Sequence, residues 1–300
     1  MVAVEIRNLS KNFGAKQAVC GLNMTVPMGA IYGFIGENGS GKSTTEKLIC
    51  GHLVADKGEI KLFGKDFTDA GVRVRVGALI ENAGCFPGSS VYQNLMMQAI
   101  NLGLSNPDEE IMRVLKIVRM EEHTELKFKK CSLGMKQRIG IAMALLGDPA
   151  LLILDEPING LDTDGMRIMR EILVDITETY GCTVLISSHI LGELEKIATH
   201  YGIIREGRMI QELTAKEMES RARVFVSLKT LDMQGASSVL KCKYSNVRTE
   251  EGYIRIYDVD APEEIVDYLI SKGHIVSEIK KNKIGLEEYY IDLMSRKEIK

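Results

Sequence analysis

Residues 31–45 read IYGFIGENGSGKSTT, and this stretch decides the fold. The apolar run Ile31–Ile35 gives way at once to Gly36, Gly39 and Gly41, then to a lysine and a series of hydroxyls. A turn alone needs one or two glycines. A denser set implies a backbone that bends around a bound group and aims its N–H donors at it. The spacing Gly36-x-x-x-x-Gly41-Lys42-Ser43 is that of a P-loop, which links a strand to a helix whose N-terminus holds phosphate. Lys42 is then placed for the β- and γ-phosphates of ATP, and Ser43 for Mg²⁺. Asn38, Gly39 and Ser40 belong to the loop itself, and Thr44 and Thr45 cap the remaining phosphates by N–H or hydroxyl. The segment STTEKLICG that follows has helical spacing and stops at Gly51. The plainer alternative, a glycine-rich turn with a chance Lys-Ser, leaves both flanking elements unexplained.

A second buried strand, ALLILDEP at 150–157, ends in Asp155 and Glu156. Two adjacent acids at such a strand end point to a cation or a reaction. Asp155 suits Mg²⁺, held through water. Glu156 suits a general base that orients and deprotonates the attacking water. Solvated strand-end acids are the alternative.

The chain of 300 residues is long enough for one large domain or a large and a small one. Its net charge of −3 argues against a broad nucleic-acid surface, and no nucleic-acid partner is expected. Six cysteines lie scattered without a C-x-x-C, as in reduced, mostly buried thiols of a cytosolic protein. No run reaches the roughly 20 apolar residues of a membrane span, and the first residues lack a signal pattern. The protein is therefore not expected to cross a membrane by itself, although it can dock on one that does.

Residues 1–80 read as β-rich with one interrupting helix. Two methionine-rich helical patterns follow, at 91–104 and 106–120. From Ser132 onward helix and strand alternate, including a helix over ILGELEKIATH (190–200) and a hairpin turning at Glu206-Gly207. That rhythm predicts an α/β fold with a largely parallel sheet. TAKEMESRAR at 214–223 is a charged helix or linker. The remainder reads βαββαβ plus a helix, the order of a ferredoxin-like unit, and holds no motif that ties to chemistry.

With CSLGMKQR, 131–138, the chain resembles the ATP-binding subunit of an ABC transporter over about residues 1–220. The resemblance implies a P-loop NTPase of ABC ATPase type, with a RecA-like core, an antiparallel β subdomain and an inserted helical subdomain. The domains expected are 1–220 for nucleotide, with helices at about 84–145, and a small α+β domain at 221–300. In that family the serine-glycine signature, here Ser132 and Gly134, closes on ATP held by a second copy, so a homodimer is implied. The physics fits, since a capped helix start is a second anion site. Phe13 resembles the aromatic that stacks on adenine, with a core aromatic as the alternative. Asp162, in the loop from Asn159, resembles a residue that crosses the dimer interface. His189 resembles the switch histidine at the γ-phosphate. The implied partners are ATP, Mg²⁺, a second copy and an integral-membrane permease, which places the chain on the cytoplasmic face of the cell membrane.

Most relatives carry glutamine where this chain has Glu81, expected here as a further Mg²⁺ ligand. The glutamate and the SLGMKQR signature resemble transporters that give self-protection against bacitracin-like peptides and lantibiotics. A soluble ATPase that remodels a nucleic-acid or ribosome complex, and an importer motor, are the alternatives. Cys131 reads either as a small hydrophobe or as a thiol of lowered pKa beside Lys129, Lys130 and a helix start. Phe86, Tyr92, Met96 and Met97 are expected to form an apolar patch for the permease.

Overall fold

A computed structural model describes residues 1–295 apart from 222–223, 251, 258, 260 and 284. It divides into two compact units, Met1–Ala215 and Lys216–Lys300. The strands of the first unit are β1 (Val2–Phe13), β2 (Lys16–Pro27), β3 (Ile31–Ile35), β4 (Lys57–Leu62), β5 (Lys65–Asp66), β6 (Val76–Leu79), β7 (Leu151–Asp155), β8 (Thr183–Ser188), β9 (His200–Arg205) and β10 (Arg208–Thr214).

They form two sheets. One is antiparallel, in the order β2-β1-β4-β5. The other runs β10-β9-β3-β8-β7-β6, parallel throughout except for the edge hairpin β9–β10. Every residue of β3 and β8, and all of β7 up to Leu154, is buried. Continuous apolar strands of this kind are what a parallel sheet covered on both faces requires. The two sheets share a core that includes Ile6, Leu9, Met24, Phe34, Leu48, Leu62, Ile153 and Leu185.

The parallel register sets the site. Ile35 pairs with Ser188 and Asp155 with Ser187, so β3, β8 and β7 end at the same sheet edge. Ligands of open α/β sheets bind at that carboxyl edge. Helices Val91–Asn101, Pro107–Ile117 and Leu133–Leu145 occupy the segment between β6 and β7. The first is closed by a capping box of Ser90 and Gln93.

The helix expected over 190–200 is a correction: only Leu191–Leu194 is helical. Ile190 offers no side-chain cap, and the chain must reach β9 quickly, with Thr199 N–H already bonded to the Ile31 carbonyl at 2.9 Å. Tertiary pairing overrides the helical pattern there.

A helix spans Ala215–Arg221, all but its first residue in the second unit, and residues 222–223 of the charged stretch lie outside the described residues. Then come β11 (Val224–Thr230), β12 (Val247–Glu250), β13 (Tyr253–Tyr257) and β14 (Val276–Lys283), with helices Met233–Lys243, Pro262–Ser271 and Leu286–Ser295. Residue 258, the last of the expected strand at 253–258, is not among the described ones. The antiparallel order β12-β13-β11-β14 is the split βαβ arrangement of a ferredoxin-like unit. Val226, Leu228, Ile254 and Ile256 pack with Ala236, Leu240, Ile265 and Leu269 into its own core.

Candidate active site

The loop Gly36–Gly41 connects β3 to the helix Lys42–Ile49. Two of its glycines are sterically required. A Cβ on Gly36 would lie 2.5 Å from the Ile204 carbonyl oxygen and 2.6 Å from Ser40 Oγ. Gly41 sits at φ +110, and a Cβ there would lie 2.5 Å from the Ala18 carbonyl oxygen. The loop therefore closes tightly on protein at its back. Its front opens into a cleft of about 290 Å³, where Asn38, Gly39, Gly41, Lys42, Ser43 and Thr44 face Asp155 and Glu156.

Lys42 is 6% exposed, and its ammonium donates to the carbonyls of Gly36 at 2.7 Å and Glu37 at 3.2 Å. These bonds hold the loop and leave the ammonium at the cleft wall. Among the described residues, Ser40 Oγ is buried in the loop without a hydrogen-bond partner. Thr45 is placed otherwise than the sequence suggests, because its N–H and its hydroxyl both go to the Gly41 carbonyl, each at 2.9 Å. Phe13 ends β1 at the rim of the cleft, 47% exposed and beside Lys16. A large apolar ring left open at a polar cleft suits stacking better than a core role.

Asp155 ends β7, and Oδ1 accepts a 2.8 Å bond from the Ser187 hydroxyl. Glu156 follows at φ +50, a left-handed conformation that costs a residue with a side chain about 1–3 kcal/mol. Its N–H donates to Ser187 Oγ at 3.1 Å, and its Oε2 lies 2.7 Å from His189 Nδ1. His189 therefore meets Glu156, from the end of the neighbouring strand. Ser187, which the motifs passed over, is the residue that joins the two acids, through Asp155 Oδ1 and Glu156 N–H. Its signal was the pair of hydroxyls that closes the buried strand TVLISS.

Ser132 caps the helix Leu133–Leu145 by accepting from Met135 N–H at 3.2 Å. Ser132, Gly134 and Asp162 line one cleft of about 390 Å³. The Asp162 carboxylate caps the helix Thr163–Glu178 through Gly165 N–H at 2.8 Å. This cleft shares no lining residue with the one at Lys42.

Glu81 does not line the cleft that holds Ser43 and Asp155. Its carboxylate binds Lys47 Nζ at 2.6 Å, and that hydrogen bond holds its pKa below the usual value. It borders instead a third cleft of about 480 Å³ with Leu79, Pro87, Phe128 and Leu133. Phe86 stands 60% exposed nearby in sequence, its backbone pinned by Asn94 through bonds of 2.7 and 3.2 Å. Tyr92 bonds to Asp108, and Met96 and Met97 are half-buried, so Phe86 is the member of the expected patch most open to solvent. Cys131 is a correction to the reactive-thiol reading: it is buried, and burial pushes its thiol up.

Hard oxygen donors at the cleft, the Ser43 hydroxyl and the Asp155 carboxylate, match the chemistry of Mg²⁺, which takes few protein ligands and keeps waters and phosphate oxygens. At Gly39 a Cβ would meet no protein atom within 4 Å, so the loop leaves room on its open side.

The ABC transporter family profile matches residues 19–159. The bacitracin transport ATP-binding protein BcrA of Bacillus licheniformis is 34% identical, over 97% of both chains. The lantibiotic transport ATP-binding protein SrtF of Streptococcus pyogenes is 37% identical, over 74% of this chain and 95% of its own. Among solved structures, cbiO1 from Clostridium perfringens, part of the ABC transporter complex cbiONQ, superposes with a TM-score of 0.67 at 28% identity. It covers 73% of this chain and 91% of that one. Among the described residues no helix is long and apolar enough to cross a membrane.

Proposed function

The chain belongs to the ABC transporter ATP-binding family, and from that premise we propose that two copies clasp ATP between them to drive a membrane permease that expels peptide antibiotics of the bacitracin or lantibiotic kind. The chain is an ATP-binding, ATP-hydrolysing subunit. One observation carries the rest: Lys42 and Glu156 line one cleft, Ser132 and Asp162 another, with no residue in common. A second copy supplies the missing wall to each.

In this reading the P-loop N–H groups and Lys42 hold the β- and γ-phosphates, and Phe13 stacks on adenine. Ser43 and Asp155 would hold Mg²⁺, which would supply charge neutralisation at the phosphates. Glu156 takes the proton of the attacking water, held in line by His189 on its other side. The Ser132 helix start of the partner copy completes the phosphate site. The working place is the cytoplasmic face of the membrane, through the permease.

Phe13→Ala is expected to weaken ATP binding by about 1–3 kcal/mol, the usual worth of one base stacked on an aromatic ring. GTP, which keeps a stacking face, should lose a similar amount. Calorimetric titration with both nucleotides checks this, and unchanged affinities would return Phe13 to a surface role.

The cleft bordered by Glu81 and Phe128 is the proposed seat of the permease. Glu81→Gln should leave ATP affinity within about twofold, since it removes an exposed ion pair of small worth away from the nucleotide. It should reduce stimulation of hydrolysis by the permease, measured in reconstituted vesicles. Intact coupling would mark Glu81 as neutral.

The substrate class is tested in cells. Loss of this chain should raise sensitivity to bacitracin or a lantibiotic, with rescue by wild type and none by a Lys42 variant. Unaltered sensitivity to both would overturn the antibiotic reading while leaving the ATPase intact. Co-purification with a multi-span partner separates a transporter from a soluble ATPase acting on nucleic acid.

A further inference from the structure

Lys16 lines the cleft that holds the phosphate loop, and the site as described gives it no task. It opens β2 and pairs directly with Phe13 across the hairpin that joins β1 to β2. Residues paired in this way point to one face of the sheet, with Cβ atoms about 4.5–5.5 Å apart. Lys16 therefore stands level with the Phe13 ring, and its flexible four-carbon stem can carry the ammonium to the edge of a base stacked there. Ala18, two residues on, marks the phosphate end, because its carbonyl oxygen backs onto Gly41. Phe13 and Lys16 thus form the base end of the cleft, and Ala18 and the loop form the other. Lys11 also approaches the ring, 5.7 Å from its centroid, but its ammonium is committed to Asp56 at 3.1 Å. Lys16 is exposed, and among the described residues its ammonium has neither an ion pair nor a hydrogen-bond partner.

An ammonium has three N–H donors and no acceptor, so the base it suits is the one that offers acceptors. Guanine presents two on adjacent atoms, O6 and N7. Adenine presents N7 beside the N6 amine, which is itself a donor. Beside guanine, Lys16 can give to both atoms. Beside adenine, it must turn away from the amine and keep N7 alone. We propose that Lys16 is a specificity-determining residue that reads the 6-oxo group of a purine, so that GTP is a substrate of this cleft alongside ATP. The phosphates do not need Lys16, since Lys42, Ser43, Thr44 and the loop N–H groups already face them. This inference rests on the reading of the cleft as a nucleotide site with the base stacked on Phe13.

The test measures equilibrium binding of ATP, GTP and ITP, each with Mg²⁺, to the full chain as wild type, Lys16→Met and Lys16→Arg. ITP carries the 6-oxo group without the 2-amino group of guanine, and so isolates the edge in question. Wild type should bind GTP and ITP at least as tightly as ATP. Lys16→Met keeps the length of the stem and removes the charge. It should lower affinity for GTP and ITP about tenfold relative to ATP, the low end for a contact to two base acceptors, as suits an exposed side chain. The attraction of a cation to a triphosphate acts on all three nucleotides alike and cancels in that ratio. Lys16→Arg keeps donors suited to O6 and N7 and should hold the wild-type ratio. A Lys16→Met chain that keeps the wild-type ratio of GTP to ATP affinity would overturn the proposal, as would a wild type that binds ATP more tightly than both 6-oxo nucleotides. A wild type that binds none of the three, or a Phe13→Ala chain that binds all three as wild type does, would overturn the reading of the cleft itself, and this inference with it.

Discussion

Glu156→Gln should lower steady-state ATP hydrolysis by about 10²–10⁴ while ATP still binds. The amide keeps the shape of the carboxylate, which lies 2.7 Å from His189 Nδ1 in the wild-type chain, but it cannot take a proton. Lys42 and the loop, the proposed phosphate holders, are untouched. The effect should therefore fall on kcat and not on nucleotide affinity. His189→Ala should cost less, because it removes the orienting group and leaves the base. Measuring kcat and ATP affinity for both variants checks the ordering. A Glu156→Gln chain that hydrolyses ATP at the wild-type rate would remove Glu156 from the mechanism.

The second large effect is expected at Lys42. Lys42→Ala should weaken ATP binding about 10²-fold, since hydrogen bonds from a cation to phosphate are worth about 1.5–3 kcal/mol each. Lys42→Arg should be nearly as damaging. Lys42 is 6% exposed and its ammonium sits between two loop carbonyls, at 2.7 and 3.2 Å, a point-charge fit that a broad planar guanidinium does not reproduce. Equilibrium binding of a fluorescent ATP analogue decides this. Wild-type affinity in the arginine variant would show that charge alone suffices and that the close fit does not matter.

The parts of the molecule legible in the sequence are those fixed by local rules. Gly36 and Gly41 announce a backbone that no side chain tolerates, and the apolar runs at 31–35 and 151–154 announce a buried parallel sheet. Ser132 and Asp162 announce helix starts by residue type. The illegible parts depend on what the chain meets after folding. Glu46 looks like an ordinary polar residue of a helix, and only the sheet packed over it makes it a buried carboxyl. Glu81 follows a strand in the pattern of a metal ligand, but Lys47, one turn along a different element, captures it. Thr45 carries the right hydroxyl for phosphate, yet the nearer Gly41 carbonyl takes it. The segment after His189 has helical spacing for eleven residues, and pairing of Thr199 with β3 cuts the helix to Leu191–Leu194.

In the proposed dimer each chain supplies half of each nucleotide site. Sedimentation of the Glu156→Gln protein with Mg²⁺-ATP tests it most directly. The expected mass is about twice that of the 33.3 kDa chain, reverting to a single chain when ATP is removed or when Ser132 is replaced by arginine. A mass that stays at one chain at high protein concentration, with ATP bound and hydrolysis blocked, would contradict it.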